Sequence, residues 1–244
     1  MSRTLDHHNR KNKVLAAVVS SYIDSGVPVS SKELAKDFSL SSATLRNILS
    51  ELEDEGYLFH PHTSAGRVPT DRGYRYYVDF LMDQNRLSDA QKALIMGEYE
   101  SIDPSIEHIL EKTTEIVAGL THYTAIASFS QWEDKIFYKG LSNIFQQREF
   151  HDYQKIALLV RMMEEKKYLL ELINKRLEEP MKIYIGEDLH CPFTSDIALV
   201  VTSFKGGKSQ GRIAVLGPRR MSYVNSVSAL ESMSGILHQL FEKI

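Results

Sequence analysis

Between positions 41 and 50 the chain carries Ser41, Ser42, Ala43, Thr44, Arg46, Asn47 and Ser50, a set suited to reading a DNA duplex. Arg46 can donate bidentately to a guanine edge, Asn47 can pair with an adenine edge or a phosphate, and the small Ala43 or Thr44 can meet a thymine methyl. Ser41 and Ser42, together with the backbone N–H groups of a helix start, can hold a phosphate. The competing reading is that these are ordinary surface residues of a helical domain. A second set follows in the loop His60-Pro61-His62-Thr63-Ser64-Ala65-Gly66-Arg67. The hydroxyls of Thr63 and Ser64, the Arg67 guanidinium and protonated His60 and His62 can contact phosphates, and Gly66 allows a tight turn. His60 and His62 could instead bind a metal, although no third ligand lies nearby in the sequence, or they could be inert loop residues.

Other segments invite chemistry and offer less. His190-Cys191 has no partner pattern for a nucleophile or a metal, and a lone cysteine reads as a small buried hydrophobe. Phe204-Lys205-Gly206-Gly207-Lys208 lacks the spacing of a phosphate-cradling loop and reads as a flexible strand connection. Gly217-Pro218-Arg219-Arg220 reads as a turn with a solvated basic cap at a helix start, or as a contact to DNA or a partner. The Met162-Met163 pair reads as packing. No nucleophile–base pair or metal constellation emerges, so no catalysis, cofactor or metal is expected.

The first of these sets needs a helix to present it, and the pattern supplies one. Val14, Leu15, Val18, Val19, Tyr22 and Ile23 repeat with a 3.6-residue period and predict a first helix stopped by Gly26 and Pro28. Ser30 and Glu33 have capping-box spacing for a short second helix ending near Asp37. Ser42 can cap a third, whose inward stripe is Leu45, Ile48, Leu49 and Leu52, ended by Gly56. Subtracting that stripe leaves Ala43, Thr44, Arg46, Asn47 and Ser50 facing out. Two helices joined by a tight turn make a helix-turn-helix, and its second member is the one that enters the major groove. Tyr57 to His60 and Arg67-Val68 read as two strands around the polar loop, which completes the order of a winged helix. A further helix is expected from Thr70 to about Met82, with Gln84 to Ser88 as linker. Beyond Asp89, helices near 106–116, 153–176 and 222–242 interleave with apolar runs near 123–129, 135–138, 182–185, 197–202 and 213–216. That pattern predicts an α+β domain around a mostly antiparallel sheet.

Composition sets the bounds. The 244 residues suit two domains, taken here as 1–84 and 85–244, and 43 % hydrophobic with 25 % charged residues is a globular balance. No apolar run approaches the roughly 20 residues that cross a bilayer, and the polar N-terminus lacks the apolar stretch of a signal peptide. A single cysteine excludes an intrachain disulfide and suits a reducing cytosol. The net charge of −3 argues mildly against a uniformly basic nucleic-acid binder. Over residues 1–80, ten Lys or Arg face ten Asp or Glu, unevenly placed. Glu51, Glu53, Asp54 and Glu55 form one acidic block, while no acid occurs from Gly56 to Thr70. Helix geometry puts that block roughly 20 Å from the cap, away from a bound duplex.

Several ordered stretches then carry a resemblance. Tyr22-Ile23-Asp24-Ser25-Gly26-Val27-Pro28-Val29-Ser30-Ser31, Ser41-Ser42-Ala43-Thr44-Leu45-Arg46-Asn47, Pro61-His62-Thr63-Ser64-Ala65-Gly66-Arg67-Val68-Pro69-Thr70 and Gly73-Tyr74-Arg75-Tyr76-Tyr77-Val78-Asp79 resemble the HrcA family of heat-inducible transcription repressors. The later stretches Gly119 to Ala125, Gly140 to Ile144, Glu149-Phe150, Ile185-Gly186-Glu187 and Leu216 to Tyr223 follow the family's order more loosely. The resemblance implies an N-terminal winged helix-turn-helix, a GAF-like second domain, a homodimer and binding to an inverted-repeat operator ahead of chaperone operons. It further implies release on heat stress, a GroEL-type chaperonin partner and a cytoplasmic, nucleoid-associated location. Two features depart from the family pattern. Longer members carry a dimerising insert where this chain has only Ser130 to Lys139, and Ile48-Leu49 stand where the family has an acidic residue and Met. The alternative expectation is a metabolite-sensing winged-helix regulator whose GAF-like domain binds a small molecule.

Overall fold

The computed structural model describes residues 2–62, 65–83, 86–132, 135–174, 180–189, 195–206 and 209–242. The chain separates into two compact units, Met1–Asp83 and Gln84–Ile244. Thr63, Ser64, His190 and Cys191 lie outside the described residues, as do Gly207 and Lys208.

The first unit runs α1 (Ser2–Ser25), α2 (Ser31–Leu34), α3 (Ser42–Asp54), β1 (Leu58–Phe59), β2 (Val68–Pro69) and α4 (Asp71–Tyr76), followed by a π-helical turn at Tyr77–Leu81. Val14, Leu15, Val18, Val19 and Ile23 of α1 are buried against Leu34 and the α3 stripe Leu45, Ile48, Leu49 and Leu52. Tyr22, in the same periodic stripe, stays part exposed. Two boundaries differ from expectation. The second helix is a single turn that stops at Leu34 rather than near Asp37. The cap of α3 is Ser41, not Ser42: the Ser41 hydroxyl accepts from the Thr44 N–H at 3.0 Å, while the Ser42 hydroxyl is engaged with Ser31 Oγ at 3.1 Å. Gly56 closes α3 in the left-handed region, with φ of +77°, which costs a residue lacking Cβ little. Thr70 then joins three pieces of backbone. Its hydroxyl donates to the carbonyls of Gly56 and Tyr57 and accepts from the Gly73 N–H, so one side chain ends the α3 turn and starts α4.

The second unit contains α5 (Asp89–Tyr99), α6 (Ile106–Thr121), β3 (Thr124–Phe129), β4 (Ile136–Lys139), α7 (Leu141–Phe145), α8 (Tyr153–Glu164), α9 (Lys166–Asn174), β5 (Met181–Ile185), β6 (Ile197–Gly206), β7 (Ser209–Pro218) and α10 (Tyr223–Phe241). Its five strands form one antiparallel sheet in the order β4-β3-β7-β6-β5. Both faces of the central strands are covered, which is why they read as continuous apolar runs rather than alternating ones. One face meets α6 and α10; the other packs Ile126, Leu199, Val201, Ala214 and Leu216 against Ile144, Leu159, Met163, Leu169 and Ile173. The fold class is α+β. The helix expected over 153–176 is two helices, broken at Glu165, whose ψ of 67° leaves the helical region. Helix α5 is an addition to the expected elements; Ser88 and Gln91 form its capping box. Within that helix bundle, burial pushes the Tyr99 phenol up from its ordinary range, and its hydroxyl donates to Thr113 Oγ1 at 2.8 Å because Thr113 itself donates to the Ile109 carbonyl.

Candidate nucleic-acid interface

Burying Leu45, Ile48, Leu49 and Leu52 turns the rest of α3 outward. Ala43, Arg46, Asn47 and Ser50 are exposed and Thr44 is part exposed, so one turn after another presents the polar residues of the helix to solvent. Ser41 and Ser42 at its start are already engaged, Ser41 as the cap and Ser42 with Ser31. Ser41 Oγ also shares a hydrogen bond with Thr44 Oγ1 at 2.9 Å. Ser42 therefore ties α2 to the start of α3 while Ser41 caps α3, and any contact either hydroxyl makes to an anion must share it with that work.

The loop residues divide. His62 is exposed. His60 and Arg67 instead turn toward Glu53 near the end of α3: His60 Nδ1 donates to Glu53 Oε1 at 2.7 Å and Arg67 Nη2 to Glu53 Oε2 at 2.9 Å. The Arg67 side chain keeps only 13 % of its surface. It is thus not a free arm reaching for a phosphate but a tie between the hairpin and α3. The Arg67 backbone makes a second tie, exchanging hydrogen bonds with Val29 at 2.8 and 2.9 Å. Gly66 is needed for that approach rather than for a positive φ, since a Cβ there would sit 2.4 Å from the Val29 carbonyl oxygen.

The acidic block is not a single face held away from the site. Glu51 and Glu55, four residues apart, share one side of α3 and pair with His7 and Lys11 of α1. Glu53 lies on the other side, under the hairpin. Within the acidic block no sequence feature gives Glu53 a distinct role; its signal is a place one and two residues from Asp54 and Glu55, off the side shared by Glu51 and Glu55. Between α2, α3 and the hairpin lies a cleft of about 410 Å³ whose lining includes Ser30, Ser31, Arg46, His60 and Arg67. Arg46 is the cation of that lining that makes no ion pair among the described residues, since His60 and Arg67 are both held by Glu53. Nearby, Arg72 lies over the Tyr57 ring at 4.8 Å and is occupied by that contact.

In the second unit the reading of Arg219-Arg220 as a solvated cap is corrected for Arg220. It is largely buried and paired with Glu149, whose carboxylate takes its guanidinium, and Gln147 accepts a further bond. Met163 is core, as expected of the pair, and Met162 packs beside it. Beside α8, Phe150, Lys155, Leu159, Met162, Asp196 and Ile197 surround a void of about 30 Å³, room for a water or two rather than a metabolite. Among the described residues no group of three or more His, Cys, Asp or Glu is placed to hold a metal ion, and no helix is long and apolar enough to cross a membrane.

Comparison with known proteins adds independent findings. The family model of the HrcA protein C terminal domain matches residues 128–227. A heat-inducible transcription repressor HrcA from Pelotomaculum thermopropionicum is 28 % identical, with 97 % of each chain covered. One from Carboxydothermus hydrogenoformans is also 28 % identical, covering 95 % of this chain and 97 % of its own. The alignment with the first spans 338 positions against the 244 of this chain, so the relative carries internal residues that are missing here. A crystal structure of a hypothetical protein superimposes with a TM-score of 0.79 at 20 % identity, over 96 % of this chain and 98 % of its own, and shows a shared fold. The chain is thus similar over nearly its whole length to heat-inducible transcription repressors HrcA, and it carries the HrcA C-terminal domain in a shorter chain than theirs.

Proposed function

We infer that this protein represses transcription of heat-shock chaperone genes by binding an inverted-repeat operator as a homodimer. The observation that carries the reading is the exposed polar face of α3, with Arg46 and Asn47 at its centre, next to a hairpin pinned to the same helix. Its three helices and hairpin act as a winged helix-turn-helix, residues 1–84, and residues 85–244 form a GAF-like regulatory and dimerising domain. Ala43, Thr44, Arg46, Asn47 and Ser50 meet base edges; Ser41, Ser42, His60, His62, Thr63, Ser64 and Arg67 meet or position the backbone, Arg67 chiefly by holding the hairpin. Two-fold symmetry of the dimer then matches the palindrome. The protein works in the cytoplasm on the nucleoid, with a GroEL-type chaperonin restoring the active form, and heat releases it because a marginally stable fold loses its operator-competent state within a few degrees. The family names of the relatives support this reading; a ligand-sensing alternative draws no support from them.

Fluorescence anisotropy at fixed salt tests it, using a duplex with the inverted repeat that precedes the chaperone operon and a scrambled duplex of equal length. The expected result is a preference of about a thousandfold or more at two protomers per operator. Equal affinities for both duplexes, with and without chaperonin, contradict it.

A further inference from the structure

We propose that Glu53 is the positioning residue that sets the register between the base-reading face of α3 and the hairpin loop, a proposal that rests on the DNA-binding reading above. The hairpin is poorly held by its own ladder. Each strand is two residues long, with only Leu58 opposite Pro69 and Phe59 opposite Val68, and a ladder this short is not independently stable. Its orientation must come from outside. Leu58 and Val68 anchor the strands in the core, and Thr70 ties the second strand to Tyr57. The backbone bridge to Val29 fixes the hairpin to the chain entering α2. Glu53 holds the ends of the loop itself, spending both carboxylate oxygens on the hairpin, one on His60 just after β1 and one on Arg67 just before β2. A single α3 side chain thus holds both legs of the loop.

The same contact sets how much charge the loop shows to a duplex. With Glu53 ionised, its negative charge lies beneath His60 and Arg67 and draws the Arg67 guanidinium down into the protein. Neutralising Glu53 does two things at once. The loop loses its fixed angle to α3, which lowers fit to one particular operator geometry, and Arg67 becomes free to reach any phosphate, which raises attraction to all DNA. A residue that merely stabilised the fold would change affinity for both duplexes alike and leave the salt dependence alone.

The test is Glu53→Gln in the full chain, titrated with the operator and scrambled duplexes over a series of salt concentrations, alongside thermal melting. The ratio of operator to scrambled affinity should fall by about tenfold, and the salt slope on the scrambled duplex should steepen by about one released counterion. An unchanged ratio overturns the proposal, as does tighter operator binding at an unchanged ratio. Should the variant be unfolded at the assay temperature, His60→Gln carries the test, since it breaks one leg and leaves the Arg67–Glu53 pair. It should lower the ratio several-fold, and a wild-type ratio overturns the proposal. The wild-type titration separates the two levels. Equal wild-type binding to both duplexes contradicts the DNA-binding reading itself, whereas operator preference kept by the wild type and by both variants contradicts only the role of Glu53.

Discussion

Arg46 is exposed on α3, whereas Arg67, expected from sequence to meet a phosphate, is folded back onto Glu53. The two arginines should therefore behave differently. Arg46→Ala removes an exposed side chain, so its effect belongs to binding: about 1–3 kcal/mol lost on the operator and relaxed preference at the base it reads. Operator titrations against single-base variants check this, and a uniform loss across all sequences would assign Arg46 to a phosphate instead. The residue types were readable in the sequence because donors such as Arg and Asn on an outward helix face have few other uses. The fate of each side chain was not. Whether an arginine reaches outward or pairs inward is decided by a carboxylate fourteen residues away in the chain, brought close only by the turn at Gly56 and the hairpin. Arg220, buried against Glu149, makes the same point in the second unit.

Among the elements, α3 is where local signals and tertiary packing agree most fully. Its inward stripe was legible from spacing, and the four residues of that stripe are all buried. Its start was misplaced by one residue because Ser41 and Ser42 are equally good caps in sequence, and only the proximity of Ser31 selects between them. Ser41→Ala should accordingly lower stability by about 1 kcal/mol, measured by urea denaturation, with Ser42→Ala costing less. The reverse order would place the cap at Ser42. The strands of the second unit were legible for the opposite reason to helices: continuous apolar, β-branched runs such as Ile197 to Thr202 suit a sheet buried on both faces. Helix α5 escaped notice because its burial rests on Ile95 and Tyr99 alone, too few apolar positions to show a period. The break at Glu165 was hidden because apolar residues continue on both sides of it.

For the whole molecule, a net charge of −3 opposes the approach of a polyanion. The arrangement of charge resolves this. Glu51 and Glu55 are paired with α1 and Glu53 with the hairpin, so of the acidic block only Asp54 has no ion partner among the described residues, while Arg46, nearer the start of α3, is exposed. The repressor function needs operator contact to fall on that end of the first unit. Hydrogen exchange read by mass spectrometry, with and without saturating operator duplex, tests this most directly. Exchange should slow over residues 41–50 and over the hairpin when operator is added, and far less with the scrambled duplex. Unchanged exchange across both segments at saturating operator would contradict the assignment of α3 and the hairpin as the surface that reads DNA.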